Sequence, residues 1–211
     1  MMLGAGTFSY FDDTEVSTGN TFTAGTIDIV LTQTETRVLP IGDFDDLKPC
    51  QIGYLYVNIL NDGTNPLELW KHIYNVDCKE NDVVDAEEEY YIANCIQYPP
   101  GKNDIDTVIN FDLSIRNTDC GEWTEKIPES DDLQIDDVED HWIYLGVLQP
   151  GETMYVRQSF HMQGETGNWA QSDKMTFDEE FLAQQIEGEI PPEPDTGNGV
   201  LSGHGRPGSV P

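Results

Sequence analysis

From Val108 to Ile115 the sequence alternates without a break: Ile109, Phe111, Leu113 and Ile115 fall on one side of an extended chain, and Asn110, Asp112 and Ser114 on the other. That period of two belongs to a half-buried β-strand. The same period runs from Thr26 to Leu31, where Ile27, Ile29 and Leu31 oppose Asp28 and a first core strand is predicted. An apolar-rich strand follows over Ile52 to Leu60, with a turn signal at Asn61-Asp62-Gly63, and Leu67 to Val76, Trp142 to Leu148 and Thr153 to Met162 also read as strands. Asp82 to Asn94 is rich in Glu, with Val84, Tyr91 and Ile92 loosely spaced, and reads as a short helix. Several strands, turn signals and little helix predict an all-β fold, an antiparallel β-sandwich or jelly roll.

A chain of 211 residues fits one such sandwich with flanking segments, and 37% hydrophobic residues suffice for a core. The domain is expected over residues 21–187, preceded by an N-terminal segment, 1–20, with an extended strand. Residues 188–211 carry Pro191-Pro192-Glu193-Pro194 and a Gly-rich run, which predicts an irregular, flexible Pro/Gly-rich tail. Leu47-Lys48-Pro49-Cys50 precedes one predicted strand and Leu148-Gln149-Pro150-Gly151 another, a weak internal echo.

Forty acidic side chains against ten basic ones give a formal net charge of -30. Such a surface repels nucleic acid, whose binding needs Lys and Arg to displace condensed counterions, and it repels anionic membranes as well. The excess also repels itself, so the chain is expected to work where cations are abundant, in high salt or with bound divalent ions. Calcium takes its ligands from carboxylates and carbonyls. Candidate ligands are Asp43, Asp45 and Asp46; Asp82, Asp85, Glu87, Glu88 and Glu89; and Asp131, Asp132, Asp136, Asp137, Glu139 and Asp140. None of these clusters follows the EF-hand order.

The four cysteines, Cys50, Cys78, Cys95 and Cys120, show no C-x-x-C pairing, which leaves zinc-ribbon and thioredoxin-like readings unsupported. Two disulfides are expected. Cys78 with Cys95 is preferred because the two flank one acidic segment, although all three connectivities stay open. No apolar run is long enough for a transmembrane anchor. Met1-Met2-Leu3-Gly4-Ala5-Gly6 reads as the tail of a hydrophobic signal segment, which points to an exported chain. Nucleophile elbows and Walker loops are absent, and His72, His141, His161 and His204 are spaced too far apart for a helical HExxH zinc site. No catalytic residues are therefore assigned, no cofactor is required, and a non-enzymatic chain is expected.

Gly4-Ala5-Gly6-Thr7-Phe8-Ser9-Tyr10-Phe11-Asp12-Asp13-Thr14-Glu15, continued by Gly19-Asn20-Thr21-Phe22-Thr23-Ala24-Gly25-Thr26-Ile27-Asp28-Ile29, is the most distinctive run in the chain. It resembles the opening of the TasA/camelysin family, proteins exported with SipW-type signal peptides. Gly167-Asn168-Trp169-Ala170-Gln171-Ser172-Asp173 and Met175 to Gln185 resemble the close of its archaeal members. The family's Leu-x-Pro-Gly turns match the two echoed turns, except that Cys50 stands where a glycine is usual.

The resemblance implies an extracellular, biofilm-type filament subunit, here of an archaeal and salt-loving branch, that polymerises head-to-tail by donor-strand complementation. An extended segment of one copy then completes the sheet of the next. Thr7, Phe8, Ser9, Tyr10 and Phe11 are the expected donor segment. The partner is then another copy of the chain, with room for a minor capping or co-assembling subunit. Two alternatives remain: a monomeric envelope adhesion module, and a metallopeptidase, since camelysin-type proteins have been grouped with those enzymes.

Overall fold

The alternating runs become strands of two packed sheets. The structure, a computed structural model, describes residues 12–16, 29–39, 50–79, 88–89, 92–94, 105–167, 170, 173–186, 200–201 and 203–205. Among these lie nine strands: β1 (Asp12–Val16), β2 (Ile29–Leu39), β3 (Ile52–Asn61), β4 (Leu67–Lys79), β5 (Ile109–Arg116), β6 (Thr124–Ile127), β7 (Trp142–Leu148), β8 (Thr153–Met162) and β9 (Lys174–Gln185). One sheet has the order β1-β9-β4-β7 and the other β2-β3-β8-β5-β6. Every strand pairing is antiparallel. The chain is the all-β sandwich that its alternation predicts.

The core lies between the sheets. Leu69 and Ile73 of β4, Phe111 and Leu113 of β5, Val156 and Phe160 of β8 and Phe181 of β9 are buried there. Each such side chain contributes roughly 1.5–3 kcal/mol relative to leaving it exposed. Phe160 holds the aromatic centre, with ring centroids 5.3 Å from Phe111 and 5.5 Å from Phe177.

β4 departs from simple alternation because both of its faces are covered. All residues from Leu67 to Ile73 are buried, with Leu69 and Ile73 in the core. Trp70 faces the other way and packs with Trp142, Tyr144 and Leu182 in a second apolar cluster. A strand buried on both faces is usually a continuous apolar run, and Leu67 to Val76 departs from that because Glu68, Lys71, His72 and Asn75 interrupt it.

The echoed turns share a backbone feature. Cys50 has φ 64° ahead of β3, and Gly151 has φ 76° ahead of β8. Cys50 N–H donates to Met162 O at 3.1 Å and Gly151 N–H to Asn61 O at 2.8 Å, so each turn ties the start of its strand to the neighbouring one. A left-handed conformation is free for glycine and strained for a residue with a Cβ, so Cys50 carries strain where glycine would not. After β3, the Asn61 side chain accepts from Gly63 N–H at 3.0 Å, closing the expected Asn-Asp-Gly turn.

Three features depart from expectation. First, β1 sits on the chain's own sheet, before the predicted first strand. Second, part of the tail is docked: Val200 bridges Trp142, Leu201 N–H donates to Trp142 O at 2.9 Å, and Tyr144 N–H donates to His204 O at 2.9 Å. Leu201 is buried in the core, so burial of one leucine overrides the flexible composition around it. Third, Cys50, Cys78 and Cys120 are free thiols, so the preferred Cys78–Cys95 bridge is not formed in this structure. Cys95 lies outside the described residues. Burial, with opposition from a backbone hydrogen bond, pushes the Cys78 thiol up to about 11, which leaves it protonated and unreactive at neutral pH.

Candidate functional site

The four-stranded sheet has two edges, and each is closed by a terminal part of the chain. On one side β1 pairs with β9 from Asp12 opposite Gln184 to Val16 opposite Glu180. β1 has five residues, Asp-Asp-Thr-Glu-Val, against the twelve of β9. On the other side the segment around Val200–His204 runs along β7. That closure has side-chain anchors. Leu201 is buried, His204 Nδ1 lies 2.7 Å from Lys126 O, and its Nε2 lies 3.4 Å from Asp131 Oδ2.

β9 ends at Gln185, one residue beyond the partner of Asp12. The expected donor residues Thr7, Phe8, Ser9, Tyr10 and Phe11 lie outside the described residues, as do Asp43, Asp45 and Asp46.

Asp82, Asp85 and Glu87 lie outside the described residues too, and the described candidates between Asp131 and Asp140 are engaged separately. Asp132 accepts from Asn110 Nδ2 at 2.6 Å and Asp131 faces His204. Asp137 accepts from Gln134 N–H at 3.0 Å in a capping box that starts the helical turn Ile135–Val138. Burial, together with Asp137 and Asp106, pushes the Asp136 carboxyl above the usual carboxylate range. Burial does the same for Glu139, although Val76 N–H donates to it at 3.1 Å. Among the described residues no three His, Cys, Asp or Glu side chains converge on one metal-sized position.

The histidines are similarly dispersed. His72 lies between Glu180 at 3.3 Å and Asp140 at 3.7 Å, with its ring 4.8 Å from that of Trp142. His141 Nδ1 contacts Glu139 O at 2.9 Å, and His161 Nδ1 stands 3.5 Å from Asp112 Oδ2. A hydrogen bond from the His161 ring to Asp112 raises the His161 pKa above the ordinary histidine value.

Two further groups are absent from the sequence reading. The outer face of the five-stranded sheet carries interleaved arginines and aromatics. Arg116 lies over Trp123 at 4.6 Å and Tyr155 at 5.1 Å, and Arg157 over Trp123 at 4.7 Å. The second group is inside the sandwich. Lys71 and Gln158 are fully buried and Glu179 is nearly so. Lys71 Nζ is 3.2 Å from Glu179 Oε1, an ion pair without a well-aligned hydrogen bond, and Gln158 Nε2 donates to Glu179 Oε2 at 3.1 Å. Burial lowers the Lys71 pKa, against the pull of Glu179. The signal was present: each of the three is a polar residue in phase with apolar neighbours, Leu69 and Ile73, Val156 and Phe160, Phe177 and Phe181.

A two-sheet antiparallel sandwich whose sheet edge is completed by an N-terminal strand defines the structural class. Within it the chain belongs to the camelysin metallo-endopeptidase family, whose family model matches residues 1–190. No curated protein matches the chain in sequence. The family's description implies a metal, and the described residues do not fit a catalytic one: no two of the four histidines share a site, and each is held by its own separate partners.

Proposed function

We propose that the chain is an exported, extracellular structural subunit that polymerises head-to-tail into filaments, and that it does not act as an enzyme. The observation that carries this reading is the β1–β9 edge. A five-residue, largely acidic strand from the far end of the sequence completes a sheet whose other strands run longer. A strand from a neighbouring copy can make the same backbone hydrogen bonds along β9, and backbone pairing with side chains seated alternately is how strand addition gains affinity and register. Thr7 to Phe11, β-prone and aromatic, would supply the neighbour's anchors. Head-to-tail addition does not close on itself and so propagates.

The acidic surface sets the conditions in this proposal. Subunits carrying a net charge of -30 repel one another until salt screens them or divalent cations such as calcium bridge them. That fits a salt-rich setting and makes bundling cation-dependent. The decisive comparison images the full chain and a chain lacking residues 1–20, in high salt with and without calcium. Filaments are expected from the full chain alone; identical filaments from both would overturn the reading.

A second reading has its own support. β1 lies on the chain's own β9, which is what a self-contained monomeric envelope or adhesion module requires. Size-exclusion chromatography at rising protein concentration separates the two. A monomer that persists under filament-forming salt favours the module.

A further inference from the structure

Lys71, Gln158 and Glu179 sit where a sandwich normally places leucine or phenylalanine. Lys71 belongs to β4, between β9 and β7, and Gln158 to β8, between β3 and β5. Each is on a central strand of its sheet, and both point into the same core. Their surroundings are apolar: the Lys71 ammonium is 5.1 Å from the ring centre of Phe181 and 5.9 Å from that of Phe111.

As a static network the trio is poorly satisfied. Lys71 Nζ makes no aligned hydrogen bond, and Gln158 Oε1 has no partner among the described residues. Buried charges recover their desolvation penalty only when geometry and hydrogen bonding are both good, and apolar side chains in their place are often neutral or stabilising. As a reaction site the same arrangement is well ordered. One carboxylate touches both the amine nitrogen of Lys71 and the amide nitrogen of Gln158, so a nucleophile, a leaving group and a proton carrier are already in one place.

We propose that Lys71 and Gln158 join through an isopeptide bond formed by the folded chain itself, with Glu179 as the catalytic proton carrier. Glu179 takes a proton from the Lys71 ammonium, leaving a neutral amine and a carboxylic acid. The Nζ lone pair attacks the Gln158 side-chain carbonyl carbon, forming the new C–N bond and a tetrahedral centre. Glu179 protonates the amide nitrogen and recovers a proton from Nζ, and the C–Nε2 bond breaks. Ammonia departs with no oxidant, reductant or external cofactor. Low local polarity favours both the neutral amine and the neutral acid, and fixed geometry replaces a bimolecular encounter.

The competing outcome, an amide between Lys71 and Glu179 with loss of water, uses the carboxylate as electrophile. It leaves Gln158, the only group of the three with an amide to surrender, without a part. The Lys71–Gln158 bond also removes the buried ammonium and fastens an interior strand of one sheet to the middle strand of the other.

The test is the intact mass of the folded, full-length wild-type chain. It is expected to be one ammonia lighter than the sequence predicts, with trypsin failing to cut after Lys71 and a branched peptide joining Lys71 to Gln158. The Glu179→Gln and Lys71→Met variants, shown to be folded by circular dichroism, are expected at full mass. Wild-type chain at full mass overturns the proposal, and this result needs no variant to fold. Ammonia loss that survives Lys71→Met, or a branch at Glu179 with water lost, overturns it equally.

Discussion

The two edges of the four-stranded sheet are closed by opposite ends of the chain in different ways. Along β7, the segment around Val200–His204 is anchored by a buried leucine and by His204, whose ring reaches Lys126 of the other sheet. Along β9, β1 contributes a short ladder of five pairs from an acidic stretch. The first closure is fastened through the core, and the second includes backbone pairing that another strand of suitable length could reproduce. The proposed head-to-tail assembly would need that asymmetry: one edge held shut and one open to exchange.

Truncating the anchor should have the largest effect. Leu201→Ala is expected to destabilise by about 2–3 kcal/mol, the cost of a cavity at a buried leucine, read from urea denaturation at unchanged slope. A near-zero change would mean that the β7 closure is no firmer than β1. Deleting residues 1–20 should cost the isolated domain less, about 1–2 kcal/mol, because a few ladder bonds are lost while the ordering entropy of the strand is regained. Hydrogen exchange sharpens the same contrast: amides of residues 12–16 are expected to exchange well before those of 201 and 204. Slower exchange in β1 would reverse the ranking of the edges.

Two smaller effects act away from both edges and serve as controls. Cys50→Gly relieves a left-handed residue and should stabilise by about 1 kcal/mol in thermal denaturation, without altering exchange at β1. His161 supplies a pH dependence confined to the five-stranded sheet. Its folded pKa is raised, first by the hydrogen bond to Asp112 and further by Asp112, Glu129 and Asp132 charges, against partial burial. Its stabilisation is therefore complete below the ordinary histidine pKa and is lost as pH rises through the folded value. The melting temperature of the wild type should fall over that window, and His161→Gln should lose this component of the slope.

The strands of the sandwich were legible where polar and apolar residues alternate, as in Val108 to Ile115, although Asn110 and Ser114 on the polar side are themselves buried, or where apolar residues are frequent, as in Leu67 to Val76. β6 left little signal because, of its four residues, only Ile127 is buried. β1 left none, since Asp-Asp-Thr-Glu-Val has no apolar period and is a strand only because β9 lies beside it. Carboxylate density between Asp131 and Asp140 suggested a calcium loop, whereas Asp137 caps a helical turn and Glu139 accepts from Val76. Local composition shows that such groups are charged, and only the fold shows which of them face the same point. Lys71, Gln158 and Glu179 were visible one at a time as faults in three alternating patterns. Their convergence depends on the register of β4 against β9 and on the packing of the two sheets, which no single strand encodes.

Pairing Asp12 with Gln184 also sets a timetable. Contacts between residues so distant in sequence form late, because the intervening loop must close before pairing repays its entropy. During synthesis, the sheet cannot be completed until β9 has emerged. Until then the N-terminal strand has nowhere to dock within its own chain. When β9 arrives, its bare edge is open to whichever strand reaches it first, so under the proposed head-to-tail assembly the choice between folding shut and joining a neighbour becomes a race, governed by local subunit concentration.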